Sequence, residues 1–390
     1  MVGRQALSAA EAGINHAYSL IKANLANRPT FAGACTQCAF DNELSGSGTG
    51  GTLASIGSTA TLGTQSYRFR AFGGGATDGY YVQAADNYDE TTGANNGSID
   101  RDTRIYLVSR GRVGGAERVV TALVSGSALY PYGVFSETTI TLSGGSTTDS
   151  FDSRDGAYDA ATAGSHGDIR ADGNITLSGG STVVKGDAAS SGTVSASGGS
   201  SVTGTTTNGA ASLSFASIPA CGPPWSSNTG ISWVGSNGSY VSSTGVLTVS
   251  NSSTTATLAG GTYCFSSISL SGSGIMQVTS AVNIYVTGTA HLSGGSVANT
   301  TSNASNLKLF SSYNDPSDGN GVTLSGGSGA YMAVYAPDTA VNFSGSSNFY
   351  GSVIGAKVTN SGGTKIHYDT SLAAALGPGA TLSKWHEVRN

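Results

Sequence analysis

The sequence predicts a mainly β protein: an N-terminal helix, a small antiparallel sheet and a long parallel β-helix solenoid. Three observations predict this class. Residues 1–28 carry apolar side chains at helical spacing, residues 29–130 contain short β-rich segments, and residues 131–390 repeat one glycine-rich unit. We therefore expect three parts with those boundaries, an amphipathic helix, an α+β sheet domain and a solenoid with inserted loops.

The composition indicates a folded protein and argues against a disordered or nucleic-acid-binding one. The 390 residues include 58 glycines and only 11% charged residues, yet 17 tyrosines and 11 phenylalanines supply apolar surface that a disordered chain usually lacks. The formal net charge is −5, and no Lys/Arg cluster is long enough to follow a phosphate backbone. Nucleic acid is therefore not an expected partner. No stretch approaches the ~20 apolar residues that span a bilayer.

The four cysteines predict two disulfides. Cys35 and Cys38 are close together, whereas Cys221 and Cys264 are far apart in sequence. A zinc site would need a second close pair of ligands near the first, so we favour structural crosslinks over metal. Paired cysteines in a low-charge, Ser/Thr/Gly-rich chain indicate an exported protein whose export segment has been removed.

The first segment predicts one amphipathic helix that ends at Pro29. Its apolar residues recur at steps of three, four and seven and are Leu7, Ile14, Tyr18, Ile21 and Leu25. Gly13 lowers the helix propensity, so packing is expected to hold the helix. It could lie on a sheet or continue an apolar helix upstream.

The next hundred residues predict a loop and then an antiparallel meander. The glycine-rich stretch 31–66 is expected to be a loop or irregular strand tied by the first cysteine pair. Four strands are predicted from β-branched and aromatic content, at residues 66–72, 79–85, 104–109 and 116–125. Their short connections favour antiparallel pairing.

A repeat begins near residue 130. The unit is a β-branched strand that closes on Leu-Ser-Gly-Gly-Ser or a close variant, at residues 141–146, 175–181, 194–200, 291–296, 322–328, 341–346 and 358–363. The serine before the corner glycine recurs at Ser178 and Ser197, and again at Ser325, Ser344 and Ser361. Those steps of 17 to 19 residues predict one coil per unit. Glycine suits the corners because it tolerates positive φ.

The residues between corners predict the core and the surface of the solenoid. Alternating apolar side chains such as Val322, Leu324 and Phe343 are expected to point inward, with Ser and Thr outward. The longer gap at residues 205–250 predicts a coil with inserted loops. A Cys221–Cys264 disulfide would staple that insertion to the stack.

Three parts of the chain resemble one family. The segment Ala6–Ile14 reads ALSAAEAGI and resembles the helix that follows the membrane segment in minor pilins of the PilX type. Residues 108–120 are similar to the sheet hairpin of those proteins. Residues 334–337 and 351–369 resemble the β-helical C-terminal domain often fused to them. The chain therefore resembles a type IV pilus assembly protein, and its α+β unit is expected to be pilin-like.

The resemblance implies a role and partners. It implies a structural protein of the pilus or cell surface, with other pilin subunits bound through the N-terminal helix and the β-helix displayed for adhesion or assembly. Membrane contact is expected only through an upstream segment. The predicted assembly residues are Leu7, Glu11, Ile14, Tyr18 and Ile21.

Acidic loops are candidates for calcium. Oxygen-bearing side chains gather between two predicted strands, at Asp86, Asn87, Asp89, Glu90, Asp100 and Asp102. Calcium takes six to eight such ligands from flexible loops. A solvated acidic turn is the alternative. No other cofactor is expected.

Two other functions compete with the pilin-like one. A free secreted β-helical adhesin or fibre component has the same composition, and Ser, Thr, Tyr and Trp side chains could bind surface glycans. A glycan-active enzyme would use acidic loops such as 149–155 and 315–320. We predict no enzyme, because no acid–base constellation is evident. His166 with Asp168 and His367 with Asp369 are interpreted as polar residues of the coil surface.

Overall fold

The structure is a computed structural model. It describes residues 2–27, 40–72, 76–87, 97–98, 100, 102–213, 215, 217–219, 221–225, 228–251, 253–293, 297–316, 321–326 and 329–388. The chain forms two compact units. The first contains residues 1–30, 36–129 and 373–390, and the second contains residues 31–35 and 130–372. An N-terminal helix, a small antiparallel sheet and a β-solenoid of about nine turns confirm the predicted fold class.

The first unit is a helix packed on a six-stranded antiparallel sheet. Helix α1 is Val2–Asn27, and the strands, in their order across the sheet, are β1 Ser58–Leu62, β2 Gln65–Ala71, β3 Gly79–Asp86, β4 Arg104–Val113, β5 Ala116–Ala128 and β30 Leu376–Val388. Ile14 and Ile21 of the helix are buried against Val82 and Leu107 of the sheet.

Two glycines allow the helix to approach the sheet closely. A Cβ at Gly13 would lie 2.2 Å from the Ser109 hydroxyl oxygen, and one at Gly111 would lie 1.9 Å from the Ala6 carbonyl oxygen. Real Cβ contacts do not come so close, so only glycine fits at either position. The low helix propensity of Gly13 is thus offset by packing.

The sheet includes a strand from the end of the chain. Strand β30 pairs antiparallel with β5, with Leu382 opposite Val124. The range 131–390 predicted for the solenoid therefore extends too far, because residues 373–390 belong to the first unit. The Leu-Ser-Gly-Gly-Ser unit ends near residue 363, and the following residues carry a plain strand pattern that suits a sheet edge.

From residue 40 onward, the predicted loop at 31–66 is more regular than expected. It contains the short helix α2, Asp41–Gly48, a 3₁₀ turn at Gly51–Ser55, and strand β1. Leu44 and Leu53 are buried in the same core as α1, which explains why a glycine-rich segment is ordered here.

The second unit is a solenoid with three faces. Its strands are β6 Val134–Leu142, β7 Thr147–Phe151, β8 Ile169–Ala171, β9 Ile175–Ser178, β10 Val183–Val184, β11 Ala188–Ser190, β12 Val194–Ser197, β13 Ser201–Val202, β14 Thr206–Thr207, β15 Ile231–Val234, β16 Gly238–Val241, β17 Val246–Ser250, β18 Thr255–Leu258, β19 Gly261–Phe265, β20 Ser267–Ser271, β21 Ile275–Val278, β22 Val282–Val286, β23 Ala290–Ser293, β24 Val297–Asn299, β25 Leu307–Ser311, β26 Val322–Ser325, β27 Ala330–Ser344, β28 Asn348–Asn360 and β29 Lys365–Asp369. Neighbouring coils pair in parallel, and their inward Val, Ile, Leu and Phe side chains form one core.

Each repeat unit forms one coil of the solenoid, as predicted. Val322 pairs with Val341, and Val341 pairs in turn with Val358, so these coils advance at the spacing of the corner serines. At the corner after β6, Gly144 and Gly145 have φ of +70° and +83°. Coils with loops are longer, because Ala290 pairs with Val322 across an inserted segment.

The coils do not stack in chain order. Strand β6, the first of the solenoid, pairs with β8 and β9 on one side and with β28 on the other. The first coils therefore extend one way from β6, to an end formed by β12, β13 and β14. The chain then crosses to the opposite end and returns coil by coil to β28.

The crossing segment, residues 208–230, runs along the outside of the stack. Leu213 N–H donates to the Asp172 carboxylate, the Phe215 ring lies 4.3 Å from that of Phe135, and Cys221 is bonded to Cys264. The sequence predicted an insertion within a coil here. The segment instead connects the two ends of the solenoid, a role that only long-range pairing reveals.

Candidate functional site

The predicted assembly helix divides into a buried and an outer set of residues. Ile14 and Ile21 are 0% and 1% exposed in the core of the first unit, so they are unavailable to another subunit. Leu7, Glu11 and Tyr18 are half-buried, and the Tyr18 hydroxyl donates to the Ala380 carbonyl oxygen at 2.8 Å. Within the described residues, no helix is long and apolar enough to cross a membrane.

The described residues of the predicted calcium loop are held by hydrogen bonds from backbone N–H groups and one side-chain amide. The Asp100 carboxylate accepts from the N–H groups of Phe40 at 2.8 Å and of Asp102 at 3.1 Å. The side-chain amide of Asn87 donates to Asp102 at 2.9 Å. Burial raises the pKa of Asp100 to about 8, and the neighbouring Asp102 carboxylate adds to the rise.

The calcium hypothesis remains a prediction. Asp86, Asn87, Asp100 and Asp102 are described, whereas Asp89 and Glu90 lie outside the described residues. Among the described residues, no three His, Cys, Asp or Glu side chains are grouped so that they could hold a metal ion.

One of the two predicted disulfides is present in the described chain. Cys221 and Cys264 are bonded, with their Cα atoms 5.9 Å apart, an ordinary separation for a disulfide. Cys35 and Cys38 lie outside the described residues, so their pairing remains a prediction. The observed bond ties the crossing segment to β19.

The solenoid carries an aromatic ladder that the sequence did not predict. Successive coils place Tyr331 opposite Tyr350, Tyr350 opposite His367, and His367 opposite Asp149. The two tyrosine rings stack at 4.3 Å, and the Tyr350 ring stacks on the imidazole at 4.9 Å. Lys185, on the next coil, places its ammonium 3.9 Å from Asp149. We call these five residues the ladder.

Tyr158 covers the buried part of the ladder. Its ring lies 3.9 Å from the His367 imidazole, and its hydroxyl donates to the Asp149 carboxylate at 2.9 Å. Burial, followed by the nearby Asp149 carboxylate, raises the pKa of Tyr158. Because His367 and Asp149 are 3% and 4% exposed, the tyrosine rings rather than the imidazole form the accessible aromatic surface of the ladder.

Both nitrogens of His367 are engaged within the protein. Nδ1 contacts the Asp149 carboxylate, and Nε2 lies 3.2 Å from the Asn348 amide oxygen. A general base needs a ring nitrogen that faces its substrate. The ladder is therefore arranged as a packed polar cluster with an aromatic surface.

Part of the ladder was visible in the sequence. Asp149 belongs to one of the predicted acidic loops, but the interpretation of His367 and Asp369 as polar residues of the coil surface is wrong, because they are 3% and 0% exposed. The pairing of His367 with Asp149 joins residues 218 positions apart through the contact of β29 with β7. Since that contact breaks chain order, no local spacing could have predicted it.

A small pocket of the solenoid, partly open to solvent, has a volume of about 20 Å³. Leu292, Leu324 and Phe343 are among its lining residues. Its size suits about one water molecule, so it offers no space for a sugar or cofactor.

The comparisons with known proteins add little to these observations. Residues 267–375 match a family model described as a domain of unknown function, DUF7305. The curated proteins give no significant match. Among solved structures, the competence-associated pilin ComZ from Thermus thermophilus is 12% identical, with a TM-score of 0.30, over 100% of this chain and 98% of that chain. A TM-score of this size does not establish a shared fold.

Proposed function

We propose that the chain is a structural, minor-pilin-like subunit of a type IV pilus or of the cell surface, with its solenoid displayed outward. The observation that carries the proposal is the first unit, where one stripe of α1 is buried on an antiparallel sheet while Arg4, Ser8 and Asn15 lie outside that stripe. The sequence resemblance of Ala6–Ile14 and of residues 108–120 to minor pilins supports the same role. No acid–base pair facing an open cleft is evident among the described residues.

Crosslinking from the helix tests this proposal. A photoreactive amino acid at Glu11, which is half-buried on α1, is expected to capture another pilin subunit when the protein is expressed in its own cell. The same probe at Ile14, which is 0% exposed, serves as the control and should crosslink only within its own chain. Equal capture of pilins from both positions, or none from Glu11, would contradict the proposed assembly helix.

A second candidate function is glycan binding by the ladder. Tyr331 and Tyr350 are half-exposed and their rings stack on each other, an arrangement that offers an aromatic surface to a sugar ring. On a glycan array, Tyr331→Ala with Tyr350→Ala should weaken binding about tenfold or more. Tyr313→Ala, which removes a half-exposed tyrosine outside the ladder, should leave it unchanged. Equal binding by the wild type and both variants excludes the ladder as the site.

A further inference from the structure

The two ends of the solenoid are built differently. At one end, residues 231–241 reverse direction, so that β15 and β16 pair antiparallel with β18 and β17. Ile231, Trp233 and Tyr240 from this cap pack on the core. Solenoids need such caps, because an uncovered last coil exposes its core and its backbone. This end is therefore closed.

The other end has no equivalent cap among the described residues. Its last coil, β12, β13 and β14, pairs with the strands β9, β10 and β11 on one side only, and on the other side the N–H of Val194 donates to the side-chain oxygen of Asn208 at 2.8 Å. We call this coil the open end. The N–H groups of Ser201 and Thr203 donate inward, to Thr182 and Val184, so the N–H and C=O of Val202 point away from the stack.

The core is uncovered at the open end. Ile175, Leu177 and Val184 of the preceding coil are each 0% exposed. One coil further, the corresponding Val194 and Val202 are half-buried and Ala196 is exposed. Three inward positions thus lack the layer that covers the corresponding positions of the preceding coil.

The shape and charge of the open end indicate what would cover it. A Cβ at Gly199 would lie 3.2 Å from the Gly180 Cα, and one at Gly198 would lie 3.2 Å from the Gly179 nitrogen, so the corners stack glycine on glycine. Residues 193–207 contain neither a charged residue nor a proline. Natural sheet edges are usually protected by those residues. The binding partner that fits this end is therefore an uncharged β-strand followed by a turn of small residues.

We propose that the open end docks against the open end of a second copy of this chain. An identical open end supplies uncharged edge strands and small glycine corners of this kind. A two-fold axis would pair the edge strands antiparallel and extend the sheets and the core across both copies. This contact does not depend on the pilin-like role, since it uses no residue of α1.

The test is the oligomeric state of the full chain in solution. Sedimentation should show a concentration-dependent dimer for the wild type, and Ala196→Lys should raise the dissociation constant at least tenfold, because its charge faces the partner coil. The control is Thr176→Lys, an exposed outward position one coil inside the open end, which should leave the dimer intact. Melting temperatures of both variants check that they fold.

Hydrogen exchange provides a readout without substitution. The Val202 amide should exchange more slowly at high protein concentration than at low concentration, because the dimer provides it with an acceptor. A wild-type chain that is monomeric up to about 100 μM would overturn the proposal. So would a dimer that Ala196→Lys leaves unchanged.

Discussion

At the scale of single residues, Gly13 sets how closely the helix approaches the sheet. We expect Gly13→Ala to lower the stability of the first unit by about 1–3 kcal/mol, because its Cβ would meet Ser109 and the Tyr80 ring at 2.2 and 2.9 Å. Gly3→Ala, on the same helix, meets only the flexible end of Arg118 at 3.3 Å and should be neutral or stabilising. Thermal unfolding followed by circular dichroism measures both. Equal melting temperatures would show that the helix lies farther from the sheet.

Lys308 is a second residue whose burial has a measurable consequence. It is 5% exposed on β25, and burial lowers the pKa of its ammonium group to about 8. Between that value and the ordinary pKa of 10.5, the unfolded chain binds more protons than the folded chain. The free energy of unfolding therefore rises with pH across this window, by about 1–3 kcal/mol.

The matched variants isolate this effect from other titrations. Lys308→Met should remove the rise, so its stability advantage over the wild type should shrink as the pH goes from about 8 to about 10. Lys365→Met, which removes an exposed lysine of the same solenoid, should keep the wild-type pH dependence. Denaturant unfolding at several pH values measures the differences. Parallel curves for the wild type and Lys308→Met would contradict the burial of a titrating amine.

At the scale of elements, the sequence predicted what is local. The glycine corners and the alternating residues between them carry the coil period, so the pairing of Val322 with Val341 followed from spacing. The helical spacing of apolar residues in the first segment predicted helix α1 in the same way. The pairing of β6 with β28 and the contact of His367 with Asp149 depend on the chain crossing the whole stack. No local pattern encodes that crossing.

The disulfide fixes the segment that makes the crossing possible. Replacing Cys221 and Cys264 by serine should destabilise the solenoid by about 4 kcal/mol, as expected for a loop of this length, and expose residues 208–230 to proteases. The control is the corresponding replacement of Cys35 and Cys38, which should leave that segment protected. Limited proteolysis with mass spectrometry identifies the cleavage sites. Equal protection of the segment in both double variants would show that its packing, rather than the bond, holds it.

At the scale of the whole molecule, two units with different folds share one chain. The final strand, β30, returns to the sheet of the first unit, so the solenoid is an insertion between β5 and β30. This arrangement was not predictable from composition, because residues 376–388 resemble any exposed strand. It explains how a long solenoid can be carried by a small helix-and-sheet unit without changing that unit's fold.

The most direct test of the proposed role is the location of the chain in its own cell. The gene should be expressed in its own cell with a tag in the solenoid, and pili should be sheared, purified and probed for the tag. The pilin-like role predicts that the tagged chain copurifies with the filaments in small amounts, and that Glu11→Lys on α1 removes it from them. Recovery of the chain only as free secreted protein, with pili that lack it, would contradict this role.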